Sequence, residues 1–185
     1  MKRFILTLAL GLALAFPSTY AISTDALITE IRQQYRLIHQ QLPKLKVSEF
    51  DAGLLATEGV EAKAFRDLKG ELKLIRTISY GEMGKLLSEY YFQNKQLVFV
   101  LVIDQRYNAP MYLDEKAAKE LGIAPFDSNK TVVTEDRYYF NQDRLIRWLD
   151  NKKRSIAPTQ PAFVAQGKAI LQASQQLVSK AKANP

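Results

Sequence analysis

The 185-residue chain contains no cysteine and one histidine, His39. Without cysteine there is no disulfide, no thiol nucleophile, no cysteine-ligated zinc and no lipid anchor on a cysteine side chain. With one histidine there is no multi-histidine metal centre and no spaced Ser-His-Asp set to trace. Glycine-rich phosphate loops, calcium loops and zinc signatures are also missing. No metal and no cofactor are therefore expected, and no residue is assigned a catalytic role. His39 follows Ile38 beside an apolar helical stripe, where it reads as a boundary residue of an amphipathic helix.

Long hydrophobic runs are scarce too. A bilayer-spanning helix takes about 20 apolar residues, and after residue 21 nothing approaches that; Val98 to Ile103 is only strand-sized. The longer run lies at the start. Met1-Lys2-Arg3 is followed by uncharged Phe4 to Phe16, then Pro17, then Thr19-Tyr20-Ala21 with small residues at the −3 and −1 positions. Such an arrangement predicts a secretory signal peptide cut after Ala21, rather than an uncleaved anchor helix. The expectation is an exported bacterial protein, periplasmic or secreted, whose mature chain (residues 22–185) has no transmembrane segment and forms one domain. Lack of cysteine suits those compartments. Removing the leader takes two of the 26 basic residues and none of the 19 acidic ones, leaving a basic excess of five. That excess favours anionic partners such as envelope polymers or phospholipid head groups, and it also serves solubility alone. Export argues against nucleic acid, as does the lack of any basic cluster denser than Asn151-Lys152-Lys153-Arg154.

Periodicity gives the fold class. Ser23, Thr24 and Asp25 offer N-caps for a helix carrying Leu27, Ile31, Tyr35, Ile38 and Leu42 on one stripe and ending at Pro43. A connection follows, with a short strand near Leu45–Val47. From Val60 the period becomes two, predicting strands over Val60–Ala64, Leu72–Tyr80, Leu86–Phe92, Leu97–Ile103, Thr131–Phe140 and Leu145–Leu149. Gly81-Glu82-Met83-Gly84 reads as a turn. Between about 108 and 130 an insertion holds a short helix, capped by Asp114 and stopped by Gly122. A final helix begins at Pro161, with Phe163, Ile170 and Leu177 seven apart and Gly167 and Ser174 between them, small enough to allow close approach. The prediction is an α+β fold: a meandering antiparallel sheet of about six strands packed with N- and C-terminal helices.

The clearest local feature is a repeated hairpin. Tyr90-Tyr91-Phe92-Gln93-Asn94-Lys95-Gln96-Leu97-Val98 recurs 48 residues later as Tyr138-Tyr139-Phe140-Asn141-Gln142-Asp143-Arg144-Leu145-Ile146. Asn94-Lys95 and Gln142-Asp143 take the places of two-residue turns. A weaker third copy runs from Phe65 to Ile75, with Lys69-Gly70 at its turn. The pattern resembles the Tyr-Tyr-Phe hairpin repeats of uncharacterised secreted bacterial proteins, a resemblance that implies no activity. Strict pairing from the turns sets Tyr91 opposite Val98 and Tyr139 opposite Ile146. One face then carries Tyr90, Phe92, Phe99, Leu101, Tyr138 and Phe140, and the other Tyr91, Val100, Val102, Arg137, Tyr139 and Trp148.

The second face supplies the candidate site. Tyr91, Arg137, Tyr139 and Trp148 would form an aromatic and basic surface, of the kind that binds proteins, glycans or anionic envelope components. Either one terminal helix covers each face, or both pack on one and leave this surface open. Carboxylates near the sheet, Glu82, Glu89, Asp104, Glu135 and Asp136, are the candidates for paired-acid chemistry. The functional expectation is a non-enzymatic binding domain of the envelope or secreted space. The alternatives are a small carboxylate-dependent hydrolase of envelope polymers and an inhibitor of a secreted enzyme.

Overall fold

The structure is a computed structural model that describes residues 23–53 and 56–183. The expected signal peptide, residues 1–21, lies outside the described residues. The described chain is α+β, with seven antiparallel strands in strict sequence order: β1 (Lys46–Glu49), β2 (Val60–Arg66), β3 (Leu72–Gly81), β4 (Gly84–Gln93), β5 (Gln96–Arg106), β6 (Val132–Asn141) and β7 (Arg144–Leu149). The strand beyond the expected six is β1, the short element suspected after the first helix. No described helix is long and apolar enough to cross a membrane.

The helices form where caps and stripes placed them. In α1 (Thr24–Gln41) the Ser23 hydroxyl accepts from the Ala26 amide at 3.2 Å, satisfying one of the open donors of the first turn. Its buried residues are Ile28, Ile31 and Ile38; Ile28, rather than Leu27, is buried in the first turns. Pro43 falls in a short 3-10 turn, Leu42–Lys44, that ends the helix. The inserted α2 (Glu115–Leu121) is capped by Asp114, and Gly122 takes the left-handed conformation at φ 68°. The last helix, α3 (Pro161–Ala183), buries Phe163, Gly167, Ile170, Ser174, Leu177 and Ala181.

One helix packs on each face. On the α1 face, Ile28, Ile31 and Ile38 join Phe65, Leu74, Tyr91, Phe99, Leu101 and Tyr139. On the α3 face, Ile170, Leu177 and Ala181 join Ala62, Ala64, Ile75, Tyr90, Phe92, Leu97, Val100, Tyr138 and Phe140. Both helices begin over β7 and run towards β2. Asp25 of α1 pairs with Arg147 at 2.7 Å, and His39, near its other end, meets Tyr91 on β4. In α3, Gly167 abuts Leu145, and the Ala181 carbonyl accepts from Arg66 on β2 at 2.8 Å. Both therefore cross the half of the sheet next to the β4–β5 and β6–β7 turns. Those strand halves are buried, and the far halves are partly exposed.

The repeated hairpins carry a repeated irregularity. At both two-residue turns the central residues sit at positive φ: Asn94 50° and Lys95 66°, Gln142 49° and Asp143 58°. That is the type I′ signature. Phe92 faces Leu97 and Phe140 faces Leu145, as strict pairing requires, but the next pairs are Tyr91 with Phe99 and Tyr139 with Arg147. One extra residue, Val98 or Ile146, is inserted in the second strand. The third hairpin repeats the device: Arg66 faces Leu72, Phe65 faces Leu74, and Lys73 is extra. Its turn centres one residue earlier than expected: the Gly70 amide donates to the Asp67 carbonyl at 2.9 Å, and Gly70 takes φ 80°. A β-bulge sets two residues against one and flips every later side chain to the other face. This corrects the expected face assignment. Phe99 and Leu101 lie under α1 with Tyr91 and Tyr139, while Val100, Val102 and Trp148 belong to the α3 face.

Candidate functional site

The four residues expected to share one open surface do not. Tyr91 is 1% exposed and Tyr139 3%, both beneath α1. Trp148 packs on the opposite face beside Tyr138, its indole N–H donating to Asp136 at 3.2 Å. The bulges separate it from the tyrosines, and α1 covers the rest. What survives is Arg137 and Tyr139, which line a cleft of about 250 Å³ between α1 and strands β5 and β6.

The cleft is assembled from three chain segments, the first and last about a hundred residues apart. From α1 come Ile31, Arg32, Tyr35 and Arg36; from β5, Phe99 and Leu101; from β6, Glu135, Arg137 and Tyr139. Residues 135, 137 and 139 alternate along β6, so all three point to the α1 face. Phe99 and Leu101 make an apolar floor. The Tyr35 and Tyr139 rings stand 5.5 and 5.0 Å from the Phe99 ring, centroid to centroid. Three guanidinium groups face a single carboxylate. Glu135 is ion-paired to Arg137, and the Arg32 guanidinium lies over the Tyr139 ring at 5.9 Å. Arg32 and Arg36 stand four apart on one helix, a like-charge spacing that costs a few tenths of a kcal/mol. Neither has an ion-pair partner among the described residues.

Behind the cleft lies a buried polar chain. Glu89, 4% exposed, neighbours Arg76 across β3–β4 and receives two of its N–H groups on Oε1, at 2.8 and 2.7 Å. Its Oε2 accepts from the Tyr91 hydroxyl at 2.5 Å. That hydroxyl has one proton, so the 2.7 Å contact with His39 Nε2 is a hydrogen bond donated by the imidazole. His39 is thus the boundary residue expected, with a defined partner. Tyr35 sits between the two systems, its ring tilted against both His39 at 4.3 Å and Tyr91 at 5.1 Å. Burial raises the Tyr35 hydroxyl above its ordinary value of 10, and the negative charges of Glu89 and Glu135 add to the effect. Burial likewise pushes Tyr91 well above the usual tyrosine range, with Glu89 reinforcing it.

The remaining carboxylates do not converge here. Asp136 and Asp104 point to the α3 face, held by Trp148 and by Arg106 at 2.9 Å. Glu82 is exposed in the β3–β4 turn and shares a shallower concavity of about 650 Å³ with Asp104. Gly84 in that turn is required by space: a Cβ there would lie 2.0 Å from the Gln105 carbonyl oxygen. Among the described residues no three acidic or histidine side chains are grouped to hold a metal ion. Sequence reasoning missed Arg32, Arg36 and Arg76, and placed Tyr35 only in the core. The available signal was two arginines one turn apart beside the Ile31–Tyr35 stripe. Comparison with family models, curated proteins and solved structures finds no match.

Proposed function

We propose that the chain is an exported, non-enzymatic binding domain of the bacterial envelope or secreted space, and that it takes a small anionic ligand in the cleft between α1 and β5–β6. The observation that carries this reading is the convergence of Arg32, Arg36 and Arg137 on an apolar, aromatic floor with only Glu135 opposing them. Guanidinium groups beside an apolar floor favour carboxylates and phosphates, which they hold through paired N–H donors. The signal-like N-terminus and the basic excess of the mature chain fit an anionic component outside the cytoplasm.

The test is an NMR titration with inorganic phosphate, following the arginine side-chain N–H signals. Saturable shifts at Arg32, Arg36 and Arg137 are expected. Arg36→Gln should weaken binding about tenfold, the scale of one lost hydrogen bond to a charged group. Shifts spread evenly over surface lysines, or unchanged affinity in Arg36→Gln, would remove the cleft as the site.

A further inference from the structure

We propose that the ligand is a small aromatic acid, a single planar ring bearing a carboxylate or phosphate group, and that Glu135 occupies Arg137 until that acid displaces it. This rests on the anion-binding reading of the same cleft and adds the body of the ligand and a built-in competitor.

Size limits the body. Pockets for drug-sized ligands run from roughly 300 to 1,000 Å³, and this cleft, at about 250 Å³, falls below them. One ring fits that scale; a long acyl chain does not. The walls set its shape. The Phe99 ring lies 5.5 Å from Tyr35 and 5.0 Å from Tyr139, centroid to centroid. With Phe99 5% and Tyr139 3% exposed, the half-buried Tyr35 ring offers a guest the most contact, and offset or edge-on ring contacts reward an aromatic guest over an aliphatic one. The Tyr35 hydroxyl makes no hydrogen bond among the described residues, leaving a polar atom at the rim for the acid group.

Charge sets the acid group. Arg32 lies over the Tyr139 ring at 5.9 Å and has no ion-pair partner among the described residues, so it can meet an anion beside a guest ring. Glu135 and Arg137 share one strand face, and their side chains are 36% and 33% exposed. A pair this wet is worth at most about 1 kcal/mol, so an incoming acid that is also held by Arg32 and Arg36 can replace Glu135 on Arg137. Removing the competitor should therefore strengthen binding, which is the opposite of what deleting a contact residue does.

The experiment is calorimetric titration of the chain with benzoate, phenyl phosphate, hexanoate, acetate and inorganic phosphate. Each ring-bearing acid is expected to bind at least about tenfold tighter than its ringless counterpart, from the apolar area covered. Comparing benzoate with phenyl phosphate tells which acid group is preferred. Glu135→Gln should tighten benzoate binding about two- to fivefold, the range of an exposed ion pair no longer in competition. If acetate and phosphate bind as well as their aryl forms, or hexanoate matches benzoate, the aromatic ligand is overturned while the anion site stands. If no anion binds, the anion site falls with it. If Glu135→Gln weakens binding, Glu135 is itself a ligand contact and the competitor role is overturned.

Discussion

The α1 and α3 faces are built on the same strands, yet the seam under α1 keeps a cleft where the seam under α3 packs closely. Under α3 the seam is made of small residues. Gly167 and Ser174 on the helix, with Ala62 and Ala64 on the sheet, let the two surfaces meet. A Cβ on Gly167 would come within 2.9 Å of the Leu145 Cβ. Under α1 the seam is made of rings: Tyr35, Phe65, Tyr91, Phe99 and Tyr139. Rings meet at angles and leave space between them, and that space holds the arginines and the buried Glu89 chain. The contrast teaches that side-chain size along a helix–sheet seam decides whether the seam closes as core or remains available as a site.

The sharpest way to break this contrast is to crowd the closed side. Gly167→Val should cost about 2–3 kcal/mol, because Leu145 is backed by the sheet and has little room to yield. Urea unfolding of the variant checks this, and anion binding in the α1 cleft should be unchanged. A loss below about 0.5 kcal/mol would mean that the α3 seam is no tighter than an ordinary surface.

Next in size is the polar chain of the open side. Glu89→Gln removes the charge that orders Arg76 and Tyr91, an expected loss of about 2 kcal/mol. A double-mutant cycle with Tyr91→Phe should give a coupling of about 1 kcal/mol, since the two side chains share one hydrogen bond. Additive losses would show that the chain is a set of independent contacts.

The third effect is one of pH. Burial raises Tyr90, Tyr91 and Tyr138 above their ordinary value of 10.0. Their folded-state values exceed the unfolded ones, so this stabilisation is complete below pH 10. Above it the unfolded chain releases protons that the folded chain keeps, and stability falls as pH rises towards the folded-state values. Each tyrosine contributes a slope of about 1.4 kcal/mol per pH unit. Tyr91→Phe should flatten the alkaline limb of urea midpoints measured against pH; an unchanged slope would place the Tyr91 hydroxyl in contact with solvent.

Much of this architecture was legible because the signals are local. Caps, stripes, the two type I′ turns and the Gly167–Ser174 seam each occupy a few consecutive residues. The bulges were not legible. Val98 to Val102 is apolar at every position, so alternation carries no record of the residue inserted there and Phe99 to Val102 were assigned to the wrong faces; the second bulge, at Ile146, did the same to Trp148. Nor was the cleft. Arg32 and Arg36 interrupt no apolar pattern, and the β6 residues that share the cleft with them lie far away in sequence. Tyr91 and Tyr139 were found together as equivalent positions of the repeated hairpin, with Arg137 beside the second copy; Arg137 and Tyr139 line the cleft, and Tyr91 lies buried behind it.

The strict sequence order of the strands has a consequence for how the chain folds. Every sheet contact joins neighbours along the chain, and most pairs are joined by hairpins, so the mean loop closed per contact is short. Low contact order of this kind favours fast folding even for a sheet. The sheet can grow outward from the β4–β5 hairpin by adding one strand at a time. The longest-range closures are those of the two helices, and the cleft under α1 exists only once the first of them has docked.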